Sequence, residues 1–308
     1  MNELVFLYGA ERSGTTVFKN MLDAHDNISC PGGVDFIFQY LKKSPSLDKW
    51  TCDVEGLRRD WAFQAHNLDI LEFEDGKDIA LNLINQFLER SKRYLVLLVH
   101  RQIEKVAAIF PDAKIIHLIR DPRDVAFSCI GMGWAGNVYY AIDGWLQTEN
   151  DWDNFGPTFR KDRVLKIFYK DLISSTEIQL EEICKFIGVS FSPEMLNYPL
   201  RSNYSAPDPS LIGQWKKRPA RDVALVEVRT KRLLLQRYYE LSGYPLDPPG
   251  LTERIYLWLT NKIYVWKFGL CRYGSLNFVM EKITRKFARR LHTVFHQRMY
   301  EIWKQNLK

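Results

Sequence analysis

A chain of 308 residues with 46% hydrophobic, 26% charged and 14% aromatic residues has the profile of a folded globular protein, which excludes the disordered and fibrous classes. Its net charge of +6 is unevenly placed: residues 251–308 carry 12 Lys/Arg against 3 Asp/Glu, leaving 31 against 34 in residues 1–250. A nucleic-acid binder carries its basic footprint on the folded recognition surface, so no nucleic-acid partner is expected.

The first apolar run, Leu4 to Tyr8, is too short for a signal peptide or a membrane span. Cys30, Cys52, Cys129, Cys184 and Cys271 form an odd set without CxxC spacing, which argues against a metal site or a disulfide framework. The expectation is a cytoplasmic chain in a reducing compartment.

In chain order, Glu3 to Tyr8 reads as a strand, GAERSGTT as a glycine loop, and Val17, Phe18, Met21 and Leu22 as the apolar face of a helix running to His25. Ile115 to Ile119 reads as a second strand ending at Arg120, and DPRD opens a helix with Val125, Ala126, Phe127 and Cys129. Val164 to Tyr169 reads as a third strand. The helix after it has apolar positions at Ile178, Leu180, Ile183 and Ile187, and Gly188 is its expected C-cap. Tyr198 to Pro219 is expected to be a long loop, and Asp222 to Ser242 a helix closed by Gly243.

Strands alternating with helices imply an α/β fold with a central, mostly parallel sheet covered on both faces. LDPPG at residues 246–250 marks the expected boundary between a P-loop-like three-layer α/β domain, 1–250, and a C-terminal helical extension, 251–308.

Gly9, Gly14, Thr15 and Thr16 stand at the spacing of a Walker A loop, GxxxxGK(S/T), with Thr15 in the lysine position. Glycines between a strand and a helix let backbone N–H groups converge on an anion. Without that lysine, and without a Walker B acid, Mg-ATP is a poor candidate. Arg12 and Ser13 bring a cation and a hydroxyl instead, and a guanidinium suits a phosphate bonded to a second charged group. Ser128 follows Arg120 by eight positions, so strand end and helix can meet at one phosphate. Two anion sites fit a ligand phosphorylated at two places. Arg123 and Asp124 read instead as ordinary helix-start charges.

GAERSGTT followed by LDAH, and FPDAKIIHLIRDPRDVAFS, resemble the two cofactor signatures of the sulfotransferase superfamily. The chain looks most like the bacterial branch that is similar to tyrosylprotein sulfotransferases, with RSGTT in place of a KTGTT-like loop. RVLKIFYKDL, FIGV and GQWKK extend the likeness over about residues 3–245.

The resemblance implies that Arg12, Ser13, Gly14, Thr15 and Thr16 bind the 5′-phosphosulfate of 3′-phosphoadenosine 5′-phosphosulfate (PAPS), and that Arg120 and Ser128 bind its 3′-phosphate. It further implies that Tyr169 lines the adenosine pocket and that Trp215, Lys216 and Lys217 lie on a loop closing over the cofactor. The expected activity is sulfuryl transfer to a hydroxyl or amine of a carbohydrate, glycolipid or small molecule, releasing adenosine 3′,5′-bisphosphate (PAP), with no metal required. A Mg-ATP small-molecule kinase and a catalytically silent nucleotide-binding module are the alternatives.

Arg12 is the expected electrostatic catalyst, since a sulfuryl group carries less charge than a phosphoryl group and a protein cation with loop amides can serve. Relatives often place a glutamate where CPGGVDF has Gly33, which leaves Asp35 as the nearest replacement base. His25 and His100 are alternative bases by intrinsic pKa. YLVLLV stands where relatives carry a KTP-like segment with a sulfate-contacting lysine, and Lys92 and Arg101 are the substitutes at hand.

Beyond Gly250, Ile255, Trp258, Leu259, Ile263 and Trp266 recur at helical spacing, as do Val279, Ile283, Phe287, Leu291, Val294 and Ile302. The expectation is that these stripes pack on the core or on a second subunit, as in a homodimer. Peripheral attachment to anionic lipid is the alternative.

Overall fold

The computed structural model describes residues 3–44, 49–71, 73–201, 206, 208–287 and 289–305. In chain order the elements begin β1 (Glu3–Tyr8), α1 (Thr15–Asp23), β2 (Ile28–Ser29), α2 (Asp35–Gln39), β3 (Leu41–Lys43), β4 (Trp50–Cys52), α3 (Val54–Arg59) and α4 (Trp61–Ala65). Then come α5 (Gly76–Arg90), β5 (Tyr94–Val99), α6 (Ile103–Ile109), β6 (Lys114–Ile119), α7 (Pro122–Gly131), α8 (Val138–Ala141) and α9 (Asp143–Phe155). The remainder is β7 (Val164–Phe168), α10 (Tyr169–Ser174), α11 (Thr176–Ile187), α12 (Ala220–Gln236), α13 (Leu251–Tyr273), α14 (Ser275–Phe287) and α15 (Arg289–Gln305). The chain divides into two compact units, one of residues Met1–Arg120 with Gln147–Pro209 and one of Asp121–Leu146 with Ser210–Lys308.

The first unit holds a five-stranded sheet in the order β2-β5-β1-β6-β7, with every pairing parallel. Parallel strands carry helices on both faces, so their sequences are continuous apolar runs. YLVLLV of β5 is buried at every position, as are Val5 to Tyr8 of β1 and Ile115 to Ile119 of β6. A separate antiparallel pair joins β3 to β4.

β1 lies in the centre, and the chain leaves it first toward β2 on one side and later reaches β6 on the other. In such sheets ligands bind at the carboxyl ends of the strands, where the winding reverses. The turns after β1, β5, β6 and β7 carry Gly9–Gly14, His100–Arg101, Arg120 and Tyr169.

The second unit is helical. α7 begins with Pro122 at N1 and with Asp121 as N-cap, accepting the Arg123 N–H. Arg123 is buried, with its guanidinium on Asp121 Oδ2 and Glu227 Oε1 at 2.7 Å each and on the Glu240 carbonyl at 2.9 Å. Glu227 also accepts the N–H and hydroxyl of Ser242. A buried charge pair so fully hydrogen-bonded is strongly destabilised by loss of one partner. Arg123 is therefore a tertiary anchor, a role its reading as an ordinary helix-start charge did not contain.

Several boundaries differ from the sequence expectations. Tyr169 opens α10 and is not the last residue of the strand. Ile178 is exposed, and the buried face of α11 runs through Leu180, Ile183, Cys184 and Ile187 to Gly188, whose φ is 109°. α12 stops at Gln236 and not at Ser242, because Tyr238 turns left-handed and the N–H groups of Arg237 and Tyr239 close back on Leu234. The loop Tyr198 to Pro219 holds 3₁₀ turns at Tyr198–Arg201, Pro209–Leu211 and Gln214–Lys217, and its residues 202–205 and 207 lie outside the described residues.

α13 does not turn the expected stripe onto the rest of its own unit. Its inward face is Leu257, Thr260, Asn261, Tyr264 and Phe268, while Ile255, Trp258, Leu259, Ile263 and Trp266 face outward. Polar contacts choose that face: Asn261 Oδ1 accepts from the Gly136 N–H, Asn137 donates to the Leu257 carbonyl, and Tyr264 donates to the Ile130 carbonyl. Among the described residues no helix is long and apolar enough to cross a membrane.

Candidate active site

β1 is buried up to Tyr8, and Gly9 follows because the strand passes close to β6: a Cβ there would lie 2.6 Å from the Leu118 carbonyl oxygen. The loop then turns tightly, with Ser13 N–H on the Ala10 carbonyl at 3.1 Å and with Arg12 and Gly14 at φ 66° and 90°. Gly14 has two reasons to be glycine. Its φ is left-handed, and a Cβ would lie 2.3 Å from the Tyr169 ring.

α1 starts at Thr15 with no side-chain cap and no acid in its first turn. The first N–H groups of a helix have no intrahelical acceptor, and together they carry a partial positive charge. Beside them Ser13 is 0% exposed, and its hydroxyl has no hydrogen-bond partner. A buried hydroxyl without a partner costs free energy, which a ligand acceptor would recover. The Ser13 hydroxyl and the bare end of α1 together fit an anion.

Arg120, directly after β6, donates from Nη1 to the Arg12 carbonyl at 2.9 Å, and its guanidinium lies 4.3 Å over the Tyr169 ring. The expected 3′-phosphate arginine, the phosphate loop and the expected adenosine-pocket tyrosine thus form one connected group. Ser128 and Lys216 belong to the second unit. Ser128 is half-buried on α7, and Lys216 is exposed on the Gln214–Lys217 turn. There Asp124 accepts the N–H groups of Gly213 and Trp215 at 2.8 and 2.9 Å, and the Trp215 ring stacks 3.6 Å from the Arg123 guanidinium. Asp124 and Arg123 hold the turn that carries Lys216, a function that local helix-start patterns do not reveal.

Asp35 opens α2, and its Oδ1 accepts the N–H groups of both His100 and Arg101 at 2.9 Å. A Cβ at Gly33 would lie 3.9 Å from Asp35 Oδ2, so the carboxylate stands next to position 33. Burial pushes the Asp35 carboxyl above the usual carboxylate range, against the opposing pull of His100 and the two N–H donors.

His100 Nδ1 lies 2.8 Å from the Gly9 carbonyl, which only accepts, so Nδ1 donates to it. The loop after β5 is thereby tied to both Asp35 and the phosphate loop. Arg101 pairs with Glu11 at 3.1 Å, beside that loop.

Two candidates fall away. His25 accepts the Asn27 N–H at Nδ1 and donates from Nε2 to the Ser190 carbonyl, leaving neither nitrogen for catalysis. Lys92 donates to the carbonyls of Asp23, His25 and Ile28, so its ammonium is taken up in capping the end of α1 and the turn after it. Below the loop, a buried His117–Glu149 pair at 3.2 Å stacks against Trp152, which sequence spacing does not disclose.

Sheet, loop and bare helix end are those of a phosphate-loop α/β fold, a class in which anionic ligands sit at the strand ends. Residues 5–193 match the profile of the Sulfotransferase family, more than half of the chain, and the chain belongs to that family.

Among its relatives, a putative protein-tyrosine sulfotransferase of Caenorhabditis briggsae is 24% identical over 211 residues, 64% of this chain and 69% of that one. Protein-tyrosine sulfotransferase 2 of Gallus gallus is 25% identical over 209 residues, covering 63% of this chain and 53% of that one. The chain thus spans roughly half to two-thirds of the length of these relatives. Of solved structures, the sulfotransferase domain from the curacin biosynthetic pathway superposes with a TM-score of 0.56 at 21% identity, covering 78% of this chain and 99% of that domain. The sulfotransferase domain of the Synechococcus PCC 7002 olefin synthase gives a TM-score of 0.51 at 20% identity, covering 74% and 95%. These two likenesses are of fold.

Proposed function

We propose that this protein transfers a sulfuryl group from PAPS to a hydroxyl or amine and releases PAP. The observation that carries the proposal is the buried, unpartnered hydroxyl of Ser13 beside the uncapped start of α1, in a loop whose Walker lysine position is Thr15.

Arg12, Ser13, Gly14, Thr15 and Thr16 would hold the 5′-phosphosulfate, and Arg120 with Ser128 the 3′-phosphate. Tyr169 would line the adenosine site and Lys216 would close over the ligand. The bound donor supplies an activated sulfuryl group with a phosphate as leaving group. Arg12 and the loop N–H groups offset the charge that builds on that phosphate, so the chemistry requires no metal.

Asp35 is the proposed base. With Oδ1 fixed by two backbone N–H groups, Oδ2 is left to take the acceptor's proton, and its raised pKa strengthens it as a base. His100 is a second reading, favoured by its ties to both Asp35 and the phosphate loop. The proposed acceptor is a carbohydrate, glycolipid or small-molecule hydroxyl or amine. Relatives named for protein-tyrosine sulfation add a phenolic hydroxyl to those worth testing.

Calorimetry of PAP against Mg-ATP tests the donor. PAP is expected to bind tightly and ATP weakly, with Arg120→Ala weakening PAP by about 1.5–3 kcal/mol, as for a charged hydrogen bond. Preference for Mg-ATP would make the protein a kinase, and binding without transfer to any acceptor would leave a silent nucleotide-binding module.

A further inference from the structure

α13 presents its apolar side outward. Leu251, Ile255, Trp258, Leu259, Ile263 and Trp266 are each between 45% and 75% exposed along one side of the helix. Helical geometry places this stripe roughly opposite the inward face of Leu257, Asn261, Tyr264 and Phe268, and from Leu251 to Leu270 it runs about 28 Å. Its exposure is not a slip of rotation. Turning the helix to bury the stripe would break the bonds of Asn261 to Gly136, of Asn137 to the Leu257 carbonyl and of Tyr264 to Ile130. It would also lift Phe268 off Gly133 and Tyr264 off Gly136, where glycine permits the close approach.

Charge selects what covers the stripe. Arg254 and Lys267 are exposed along its two edges and Lys262 within it, while Glu253, the one acid of the helix, is engaged by Arg221 at 2.5 and 2.8 Å. A two-fold pairing of this face with itself would set these cations against one another. An anionic surface would neutralise them. Trp258 and Trp266 suit the boundary between headgroup and acyl chain, and lysine stems reach from there back to water. A concavity on the same side is lined by Ile263, Trp266 and Leu270 together with Lys262, Lys267 and Cys271.

We propose that α13 is a membrane-surface docking helix, lying in the plane of an anionic lipid bilayer with Leu251, Ile255, Trp258, Leu259, Ile263 and Trp266 inserted and Arg254, Lys262 and Lys267 on the headgroups. This rests on α13 alone and stands whatever the donor nucleotide proves to be. An enzyme held in this way works on acceptors carried by or near the membrane.

Flotation of the full chain tests it, with vesicles of phosphatidylcholine alone and of equal parts phosphatidylcholine and phosphatidylglycerol. The full chain is expected to float with the anionic vesicles and partition at least about tenfold less onto neutral ones, given the attraction of each surface cation. The double variant Lys262→Glu/Lys267→Glu should lose about tenfold or more in partitioning, and Trp258→Ser/Trp266→Ser should lose a comparable amount. Thermal melts like those of the unaltered chain show that the variants are folded, which their exposed positions favour. Ile263→Glu gives an independent third change.

Failure to float with anionic vesicles overturns the proposal, as does equal binding to neutral ones. A concentration-dependent dimer without lipid, abolished by Trp258→Ser/Trp266→Ser in sedimentation velocity, would overturn it in favour of an interface between two copies.

Discussion

The turns after β1 and after β6 share one plan, a strand running into a helix, yet their helices begin in opposite ways. α1 starts behind Gly14 with no cap and no acid, and Ser13 keeps a buried hydroxyl unpaired. α7 starts behind Asp121, which accepts the Arg123 N–H, and its first turn adds Asp124. The first helix leaves its leading donors without a cap, and the second satisfies itself and spends its carboxylates on Arg123 and on the Gly213–Trp215 turn. The lesson is that a helix start offers its backbone N–H groups to an anion only where the protein withholds its own cap, so at α7 an anion would have to be met by side chains such as Arg120 and Ser128.

The largest expected effect concerns the chemistry at the bare end. Asp35→Asn keeps an oxygen for the His100 and Arg101 N–H groups while removing the base, so kcat should fall about 10²–10⁴-fold with donor affinity retained. In the unaltered protein the rate should rise with pH through the elevated Asp35 pKa, and this limb should vanish in the variant. Because the folded-state pKa is raised, ionised Asp35 costs stability once pH climbs through it, and the variant should not melt lower at neutral pH.

Gly14→Ala breaks the comparison from the loop side. The left-handed backbone and the Tyr169 ring oppose a Cβ, so PAP binding should weaken by about 1–3 kcal/mol in calorimetry. Asp124→Ala tests the self-satisfied helix. It leaves the Gly213 and Trp215 N–H groups without their acceptor, at a cost of about 1–3 kcal/mol in denaturant unfolding. The smallest effect gives α1 what α7 has. Thr16→Asp, at an exposed first-turn position, should stabilise the ligand-free protein by about 0.3–1 kcal/mol in a thermal melt while weakening PAP binding.

The sequence by itself determined the α/β class, the phosphate loop and the basic helical tail, because each rests on local patterns: apolar runs, glycines at fixed spacing and helical periodicity. A lysine missing at Thr15 needs no structure to count against Mg-ATP. The tertiary structure alone decided which groups lie together. Asp35 meets the His100 N–H across 65 positions, and Arg120 meets the Arg12 carbonyl across 108. His25 and Lys92 carry the right chemical groups, yet backbone partners from distant turns retire them. The direction of α13 belongs to the same category. Periodicity shows that the helix has an apolar side, but Asn261, Tyr264 and the glycines at 133 and 136 set which side faces in, since amphipathic spacing fixes a stripe and not its partner.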